Sequence, residues 1–454
     1  MTQTPTSLST APARPPRPAR RGPADLPFSF ADRALAETLA AERKEPAWLL
    51  AERHAAADAF DALPVEANNL YTPYIDLRAA KLDDVDPYVL DGPPGLGDDL
   101  RAMQAAGLPA GVHVETMAQW LERDPDGFRR LHEGGATLPA DDKLAQLARG
   151  FWSHGRHVEI DTGTVVDEPI VLRWPSAAPG RALVTRTIIT LGDGASAQLV
   201  EELVPCGPQV ECAEGETVPQ GFFHGTTEVL LGKDARLELA SIQEFGAGQV
   251  AFQHRFAKIG EGATLHWALA QLGGKVVRSR VDNRLEGDRS TVEQVEIVFA
   301  SDDQLFDLTS YTRHIGRDTT GNLLSKGALL DRSKSFMKGL IDIEKSAVGT
   351  DSYLGEFGMN LSRAARAVAI PSLEIDQPDC RRAAHSSSVG PIDPTQLFYL
   401  ESRGIPPDEA RKFIVLGFLE PVVARVPLET ARARLRDLLD AKWDAGTAEA
   451  ASAA

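Results

Sequence analysis

Ile259–Leu272 reads IGEGATLHWALAQL, and this stretch carries the pattern that decides the fold. A short glycine-rich turn leads straight into a run in which Leu265, Trp267 and Leu269 alternate with small or polar residues. Such alternation is typical of a β-strand with one buried face, because successive side chains point to opposite sides of a strand. The segment therefore predicts a turn followed at once by a strand.

The same turn recurs along the middle of the chain, each time directly before an alternating run. Its copies are Leu191-Gly-Asp-Gly-Ala195, Leu231-Gly-Lys-Asp-Ala235, Ile259-Gly-Glu-Gly-Ala263 and the looser Leu285-Glu-Gly-Asp-Arg289. Glycine in the turn permits a positive φ, and the alanine that follows permits a close approach between backbones. Strand–turn units that repeat from Val158 to Ile375 without helices favour a stacked β-solenoid, and a β-sandwich with similar turn density stays open as the alternative.

Helical patterns flank this strand-rich region on both sides. Before it, apolar residues three and four apart predict helices at Ala31–Leu39, Trp48–Leu63, Leu100–Ala106, Met117–Leu121 and Asp142–Phe151. After it, Asp393 before a proline predicts a helix start, and Gly404 predicts its end. Two further helices are predicted to begin at Pro407 and near Leu428, with ordered structure ending at Trp443.

These patterns divide the chain into five segments. We predict a helical domain over residues 28–157, a β core over 158–390 and a second helical domain over 391–445. The proline- and arginine-rich stretch 1–27 lacks the apolar run of a secretory signal and is predicted to be a disordered tail, as is the alanine-rich stretch 446–454. The sequence thus predicts a mainly β protein with helices at both ends.

The composition narrows the class of protein. The chain has 454 residues and a formal net charge of −17, so binding to nucleic acid or to an anionic membrane surface is disfavoured. No apolar run approaches the roughly 20 residues of a membrane-spanning helix. Three cysteines are too few for a disulfide framework and are typical of a reducing compartment. We therefore predict a cytoplasmic protein with neither nucleic acid nor membrane as a partner.

Common catalytic and nucleotide-binding motifs are missing from the sequence, which has no phosphate-binding loop, C-x-x-C pair, H-E-x-x-H helix or G-x-S-x-G elbow. His154 and His157 form an H-x-x-H pair, but on a strand a separation of three places them on opposite faces, which favours ordinary polar histidines. Cys206 and Cys212 have no identifiable partner ligand, and nearby acids do not lower a thiol pKa, so we predict free thiols. The missing phosphate-binding loop therefore disfavours nucleotide hydrolysis and predicts that no nucleotide is bound by this chain.

Residues 379–390, DCRRAAHSSSVG, form the segment richest in binding groups. They combine a thiol, an imidazole, two guanidinium groups and three hydroxyls where the strand-rich region gives way to helices. Functional groups are often presented on connecting segments of this kind. Serine and aspartate are also ordinary turn residues, so the residues alone favour a solvated loop over a binding site.

Seven blocks of sequence favour a binding site in this segment over a solvated loop. The two most specific follow one another, His385-Ser-Ser-Ser-Val-Gly390 and Leu397-Phe-Tyr-Leu-Glu-Ser-Arg-Gly-Ile405. The others are Glu45-Pro-Ala-Trp-Leu-Leu50, Val165-Val-Asp-Glu-Pro-Ile170, His314…Thr319-Thr-Gly-Asn322, Ser335-Phe…Lys338-Gly-Leu-Ile341 and Pro371-Ser-Leu-Glu-Ile375. Together they resemble the SufB/SufD family of iron–sulfur cluster assembly proteins, over roughly residues 40–440 and most strongly over 310–420.

The resemblance implies a fold and a role. It implies a right-handed parallel β-helix core flanked by N-terminal and C-terminal helical domains, and a noncatalytic scaffold subunit of the SufBCD complex. In this family SufB and SufD pair with each other, and each carries one SufC ATPase on its C-terminal helices. The complex builds a transient Fe–S cluster with sulfur from a cysteine desulfurase system, and a reduced flavin is also associated with it.

The resemblance further implies which subunit this is. SufB-type chains carry an upstream cysteine and a His-Glu pair, whereas here Leu354–Leu361 has no cysteine and Ser386 replaces the glutamate. The matching His385 is retained, as in SufD, and is implied to be a metal ligand at the interface with SufB. An imidazole can ligate iron while thiolates and a carboxylate come from the partner. Cys380 is a second candidate ligand, although it matches no ligand of the family.

The C-terminal helices are implied to be the SufC docking surface. The residues expected to anchor that partner are Leu397, Phe398, Tyr399, Arg403, Phe413 and Phe418. Three alternatives stay open: a SufB-like or homodimeric scaffold that uses Cys206, Cys212 or Cys380, a β-helix enzyme acting on polysaccharides, and a purely structural solenoid.

Overall fold

The computed structural model describes residues 22, 24–26, 30–133, 138–207 and 219–452, with side chains described as far as residue 446. Most of the predicted N-terminal tail, Cys212 and the last two residues lie outside these ranges. The predictions for the N-terminal tail and for Cys212 therefore stay predictions.

Two parallel sheets run side by side along the core, and the chain alternates between them. The first sheet holds β3 (His154–Ile160), β5 (Arg181–Leu191), β7 (Gly221–Leu231), β9 (Gln249–Ile259), β11 (Val276–Leu285), β13 (Leu305–His314), β15 (Lys334–Ile343) and β17 (Arg366–Ile375). The second holds β4 (Ile170–Pro175), β6 (Ser196–Val204), β8 (Arg236–Gln243), β10 (Thr264–Gln271), β12 (Thr291–Ala300), β14 (Thr320–Leu329), β16 (Asp351–Asn360) and β18 (Arg382–Gly390).

Each coil of the core contributes one strand to each sheet, which makes a parallel β-solenoid of about eight turns. This confirms the predicted solenoid, and the β-sandwich alternative is wrong because its sheets would be antiparallel. Two short strands extend the first sheet: β1 (Asp86–Pro87) pairs with β5, and β2 (Val112–Thr116) pairs antiparallel with β3. The sequence predicted neither of them, and β3 begins four residues before the predicted start of the core at 158.

The repeated turns have the predicted backbone conformation. The fourth residue of the turn has positive φ, +67° at Gly194, +54° at Asp234 and +66° at Gly262. The alanines that follow, Ala195, Ala235 and Ala263, are buried, as a close backbone approach requires. Glycine and aspartate therefore fill the same position because both tolerate the left-handed region.

The first glycine of each turn packs against the turn of the coil before it. A Cβ on Gly260 would lie 2.6 Å from the Leu231 carbonyl oxygen, and a Cβ on Gly287 would lie 2.0 Å from the Glu261 nitrogen. Neighbouring coils thus touch through bare backbone along one edge of the solenoid. We call these residues the glycine ladder: Gly192, Gly232, Gly260, Gly287 and Gly316.

Helices cover the solenoid near its N-terminal end. They are α1 (Arg33–Arg43), α2 (Ala47–Ala62), α3 (Asp98–Ala106), α4 (Met117–Arg123), α5 (Pro125–His132) and α6 (Lys143–Phe151), with a 3₁₀ turn at Thr72–Tyr74. Five of them lie where the sequence predicts helices. The sequence analysis missed α5, because Asp-Pro-Asp-Gly reads as a turn; here Asp124 is the N-cap and accepts from the Gly127 amide.

The N-terminal helices join the first sheet through an apolar cluster that includes Leu39, Phe60, Phe151, Phe222 and Phe252. A buried ion pair fixes the helices to one another. The Arg53 guanidinium donates to both carboxylate oxygens of Glu45, at 2.7 Å each, and also donates to the Gly150 carbonyl. Glu45, in the first of the blocks that resemble the family, therefore has a structural role.

Three helices follow the solenoid: α7 (Pro394–Ser402), α8 (Pro407–Val423) and α9 (Glu429–Ser452). Asp393 caps α7 and Gly404 follows it with φ +87°, as the sequence predicts. Helices α8 and α9 bury Val415, Leu419 and Leu435 against the outer face of the second sheet. Helix α9 continues past Trp443 to Ser452, and the alanine residues near its end favour helix. No helix among the described residues is both long and apolar enough to span a membrane.

Candidate functional site

The last coil of the solenoid leaves both sheets open. Strand β17 pairs with β15 and strand β18 pairs with β16, and within the described residues no further strand pairs with either. Apolar side chains are exposed at this end, 45% of Ile375 and 40% of Val389. A sheet edge with free backbone groups is ready to pair with another chain. We call β17 and β18 the open end.

His385 lies on the interior face of this open end. Strands β16 and β18 are parallel, and their register pairs Leu354 with His385. Paired residues of a parallel ladder point to the same face, and Leu354 is fully buried inside the solenoid with Leu323 and Ile341. The imidazole of His385 therefore continues a column of interior side chains, yet it is exposed because no further coil covers it among the residues that the structure describes.

His385 is also uncommitted. It forms no hydrogen bond or ion pair with any other residue that the structure describes, and exposed Ser386, Ser387 and Ser388 follow it along the strand. A neutral imidazole in this position can offer a ring nitrogen to iron. The two arginines of the same segment are engaged elsewhere, since Arg382 pairs with Asp351 at 2.6 Å and Arg381 pairs with Asp318.

Cys380 does not lie beside His385. Its half-buried side chain lies before β18 begins and, like Leu373 and Ala383, packs against the buried apolar cluster that includes Ile341 and Leu354. Because a strand rises about 3.3 Å per residue, His385 is roughly 10 Å along β18 from Arg382, and Cys380 lies further back still. The two candidate ligands are therefore not brought together.

Glu356 is a residue of this site that the sequence analysis missed. It pairs in register with Ser387, so it lies on the interior face one strand below the open end. Its side chain is buried, and Oε2 accepts a hydrogen bond of 2.8 Å from the Ile370 amide. Burial raises the pKa of this carboxyl to about 8. The sequence signal for a buried Glu356 was present in residues 354–360, LGEFGMN, where Leu354, Glu356 and Gly358 share one face of an alternating run.

The C-terminal helices present a second surface. Phe398, Tyr399 and Phe413 are 70%, 57% and 68% exposed, and Tyr399 and Phe413 line a groove of about 570 Å³ between α7 and α8. The Arg403 guanidinium lies 5.2 Å from the centre of the Tyr399 ring. We call Phe398, Tyr399 and Phe413 the α7–α8 surface. Three large exposed rings on one helix pair are typical of a protein-binding patch.

The other predicted anchors belong partly to the fold. Leu397 is half-buried, and Phe418 packs against the solenoid. The Lys326 ammonium lies 4.6 Å from the centre of the Phe418 ring and donates to the Phe418 carbonyl at 3.0 Å. The structure thus separates the exposed aromatic residues from those that hold α8 in place.

The H-x-x-H pair lies on β3, so its two side chains point to opposite faces, as the sequence predicts. His157 is buried, and its ring stacks on that of Trp120 with 3.6 Å between the ring centres. Its Nδ1 lies 3.3 Å from Glu115 Oε1. Glu159 completes a cluster of three metal-type ligands. Arg123 already pairs with both carboxylates, at 2.7 Å to Glu115 and 2.5 Å to Glu159, and so supplies the positive charge that a metal would bring.

The surroundings of Cys206 and His314 indicate that both side chains have structural roles. Burial raises the pKa of the Cys206 thiol, which disfavours the reactive thiolate. His314 is buried between Thr319, 2.8 Å from Nδ1, and Ser352, 3.0 Å from Nε2. The block that contains His314 therefore closes a turn of the solenoid.

Comparisons with known proteins agree with this architecture. Residues 174–418 match the family model described as SUF system FeS cluster assembly, SufBD core domain. An iron–sulfur cluster assembly SufBD family protein of Mycobacterium tuberculosis is 30% identical over 337 residues, 72% of this chain and 78% of the relative. The iron–sulfur cluster assembly protein SufD of Bacillus subtilis is 27% identical over 66% of this chain and 67% of its own length. A SufBD family protein of Staphylococcus epidermidis is 24% identical over 90% of this chain and 93% of the relative.

Proposed function

The chain belongs to the SufBD family of iron–sulfur cluster assembly proteins, and we propose that it is the SufD-type scaffold subunit of a SufBCD complex. The observation that carries this proposal is the exposed, uncommitted His385 on the interior face of the open end, next to a stretch with no cysteine. The similarity to the SufD of Bacillus subtilis supports it. Three cysteines and no disulfide framework fit a cytoplasmic location.

The open end is the surface that we assign to SufB. Two unpaired strand edges with exposed Ile375 and Val389 can extend into the sheets of a partner. At such a junction His385 faces the partner, so one imidazole from this chain and thiolates from SufB can surround the same cluster. The nascent Fe–S cluster is cargo in this scheme, and sulfur reaches it from the cysteine desulfurase system.

One imidazole cannot hold a cluster that normally takes four protein ligands. The chain alone is therefore a half-site, and its task is to position part of the ligand set rather than to catalyse a reaction. The α7–α8 surface is the part that we assign to the SufC ATPase.

Assembly tests this function directly. The chain is co-expressed with its SufB and SufC counterparts and analysed by size exclusion, as wild type and with Val389→Asp at the open end. Val165→Asp is the matched control, because Val165 is 65% exposed away from the open end. The wild type and the control should form the complex, whereas Val389→Asp should not.

Two results would contradict the proposal. If the wild-type chain never co-elutes with the SufB counterpart, the subunit assignment fails. If the chain instead forms a dimer with itself that Val389→Asp disrupts, the homodimeric scaffold replaces the SufD-type role, because the same free edges can pair with a second copy.

A further inference from the structure

A column of polar side chains runs along the interior face of the second sheet towards the open end. Register places Glu296, Ser325, Glu356 and Ser387 one above another on β12, β14, β16 and β18. The first three are buried, with at most 4% of each residue exposed, and Ser387 is exposed. Carboxyl and hydroxyl groups alternate along this column, and it ends beside His385.

Glu356 is within reach of the His385 imidazole. Neighbouring strands are about 4.8 Å apart, and residues two apart on one strand are about 6.7 Å apart. Since Glu356 lies under Ser387, two residues along from His385 on the same face, the two Cα atoms are roughly 8 Å apart. Long side chains bridge such a diagonal, so an ion between them can contact both.

The structure makes room for this carboxyl in an otherwise closely packed interior. Gly339 on β15 faces it across the solenoid, and a Cβ at Gly339 would lie 2.9 Å from Glu356 Oε1. The other oxygen, Oε2, accepts from the Ile370 amide. Gly339 belongs to one of the blocks that resemble the family.

No cation neutralises Glu356 among the residues that the structure describes. Two buried carboxylates in earlier coils differ, since Glu228 pairs with Arg186 at 2.5 Å and Glu201 pairs with Arg255 at 3.2 Å. Glu296, in the same column, forms no ion pair with a described residue either, but its Oε1 accepts from the Ser279 hydroxyl and the Gln271 amide. A buried carboxyl without a cation is costly and marks a candidate for function. A divalent ion at the open end would provide the missing charge.

We propose that Glu356 is a second iron ligand of this chain and forms, together with His385, a site for ferrous iron at the open end of the solenoid. This inference rests on the proposed function, because it assigns His385 to iron. Imidazole nitrogen and carboxylate oxygen are both suitable donors for Fe²⁺, and serine hydroxyls and water are available for the remaining positions. The carboxyl proton passes to solvent as the oxygen–iron bond forms, and no electron is transferred.

Metal titration of the full-length chain without partners tests the site. Co²⁺ serves as the probe, because its visible absorption reports the ligands, and Fe²⁺ binding is measured in parallel under anaerobic conditions. Glu356→Gln and His385→Ala should each weaken binding by at least about tenfold. Glu296→Gln is the matched control, a buried carboxyl of the same column roughly 10 Å further from the open end, and it should bind like the wild type.

A cysteine at the same position gives an independent readout. Glu356→Cys should add a thiolate-to-cobalt charge-transfer band that the wild type lacks, and this band depends on ligation rather than on stability. The inference is overturned if Glu356→Gln binds Co²⁺ as the wild type does, if Glu296→Gln is equally impaired, or if the folded Cys variant shows no band. Failure to assemble with SufB would instead count against the proposed function, since these titrations need no partner.

Discussion

His385 stands directly over Leu354 in the ladder between β16 and β18, and no strand of the described part of the chain lies above His385. The same interior column therefore changes from a buried leucine to an exposed imidazole from one strand to the next. The buried member of this pair serves the fold, and the exposed member is free to serve a ligand.

Substitutions at this pair should separate stability from function. Leu354→Ala should lower the free energy of unfolding by about 2–5 kcal/mol, because it leaves a cavity in the solenoid. His385→Ala should change it by no more than about 0.5 kcal/mol, since the side chain is exposed and uncommitted. Urea unfolding measures both values. Equal losses would show that His385 is part of the core.

Glu356 should make stability depend on pH. Burial raises the pKa of this carboxyl from 4.5 to about 8, so the folded state binds more protons than the unfolded state between these values. Stability therefore falls as the pH rises through this window, and it levels off above it. Glu356→Gln removes this titration, so the variant should gain up to a few kcal/mol relative to wild type between about pH 5 and about pH 8.5.

Denaturant unfolding of both proteins at the two pH values checks this prediction. Glu296→Gln is a useful companion, because burial also raises the pKa of Glu296. A difference between Glu356→Gln and wild type that is the same at both pH values would mean that Glu356 is already ionised inside the solenoid.

The glycine ladder should not accept a side chain. Gly287→Ala places a Cβ 2.0 Å from the Glu261 nitrogen, a backbone atom that cannot move without shifting the coil, so we expect a loss of about 1–3 kcal/mol or more. Gly246→Ala is the control, because nothing lies within 4 Å of a Cβ there. Thermal unfolding compares the two, and similar melting temperatures would argue against coils stacked through bare backbone.

Aromatic residues of α8 should divide into two functional classes. Phe413→Ser removes an exposed ring, so it should weaken binding to the SufC counterpart by about 2 kcal/mol or more and leave the melting temperature unchanged. Phe418→Ser should instead destabilise the chain, because that ring packs against the solenoid under Lys326. Titration calorimetry with the SufC counterpart and thermal unfolding measure the two effects. Unchanged binding in Phe413→Ser would remove SufC from the α7–α8 surface.

Local sequence patterns predicted the solenoid, because each copy of the repeat carries its own turn and its own alternating strand. Gly262 and Asp234 occupy positions whose φ is positive, and the alternating residues after them face the interior. The start of α7 at Asp393 was predictable for the same reason, since N-capping depends on residues that are close in sequence.

The site was less accessible to sequence reasoning. That His385 lies over Leu354, and Glu356 under Ser387, follows from strand register, which joins residues 31 positions apart. Cys380 is near His385 in sequence, but it lies before β18 begins at Arg382, and His385 lies three residues into that strand. Likewise, Phe413 and Phe418 are both apolar residues of one helix, and only tertiary packing decides which of them is exposed.

The iron and acid-labile sulfide content of the co-expressed complex tests the central claim most directly. Anaerobic complexes that contain wild-type chain, His385→Ala or the neighbouring control Ser386→Ala are compared after size exclusion. We predict that all three assemble and that only His385→Ala loses the cluster. A His385→Ala complex that carries as much iron and sulfide as the wild type would contradict the account.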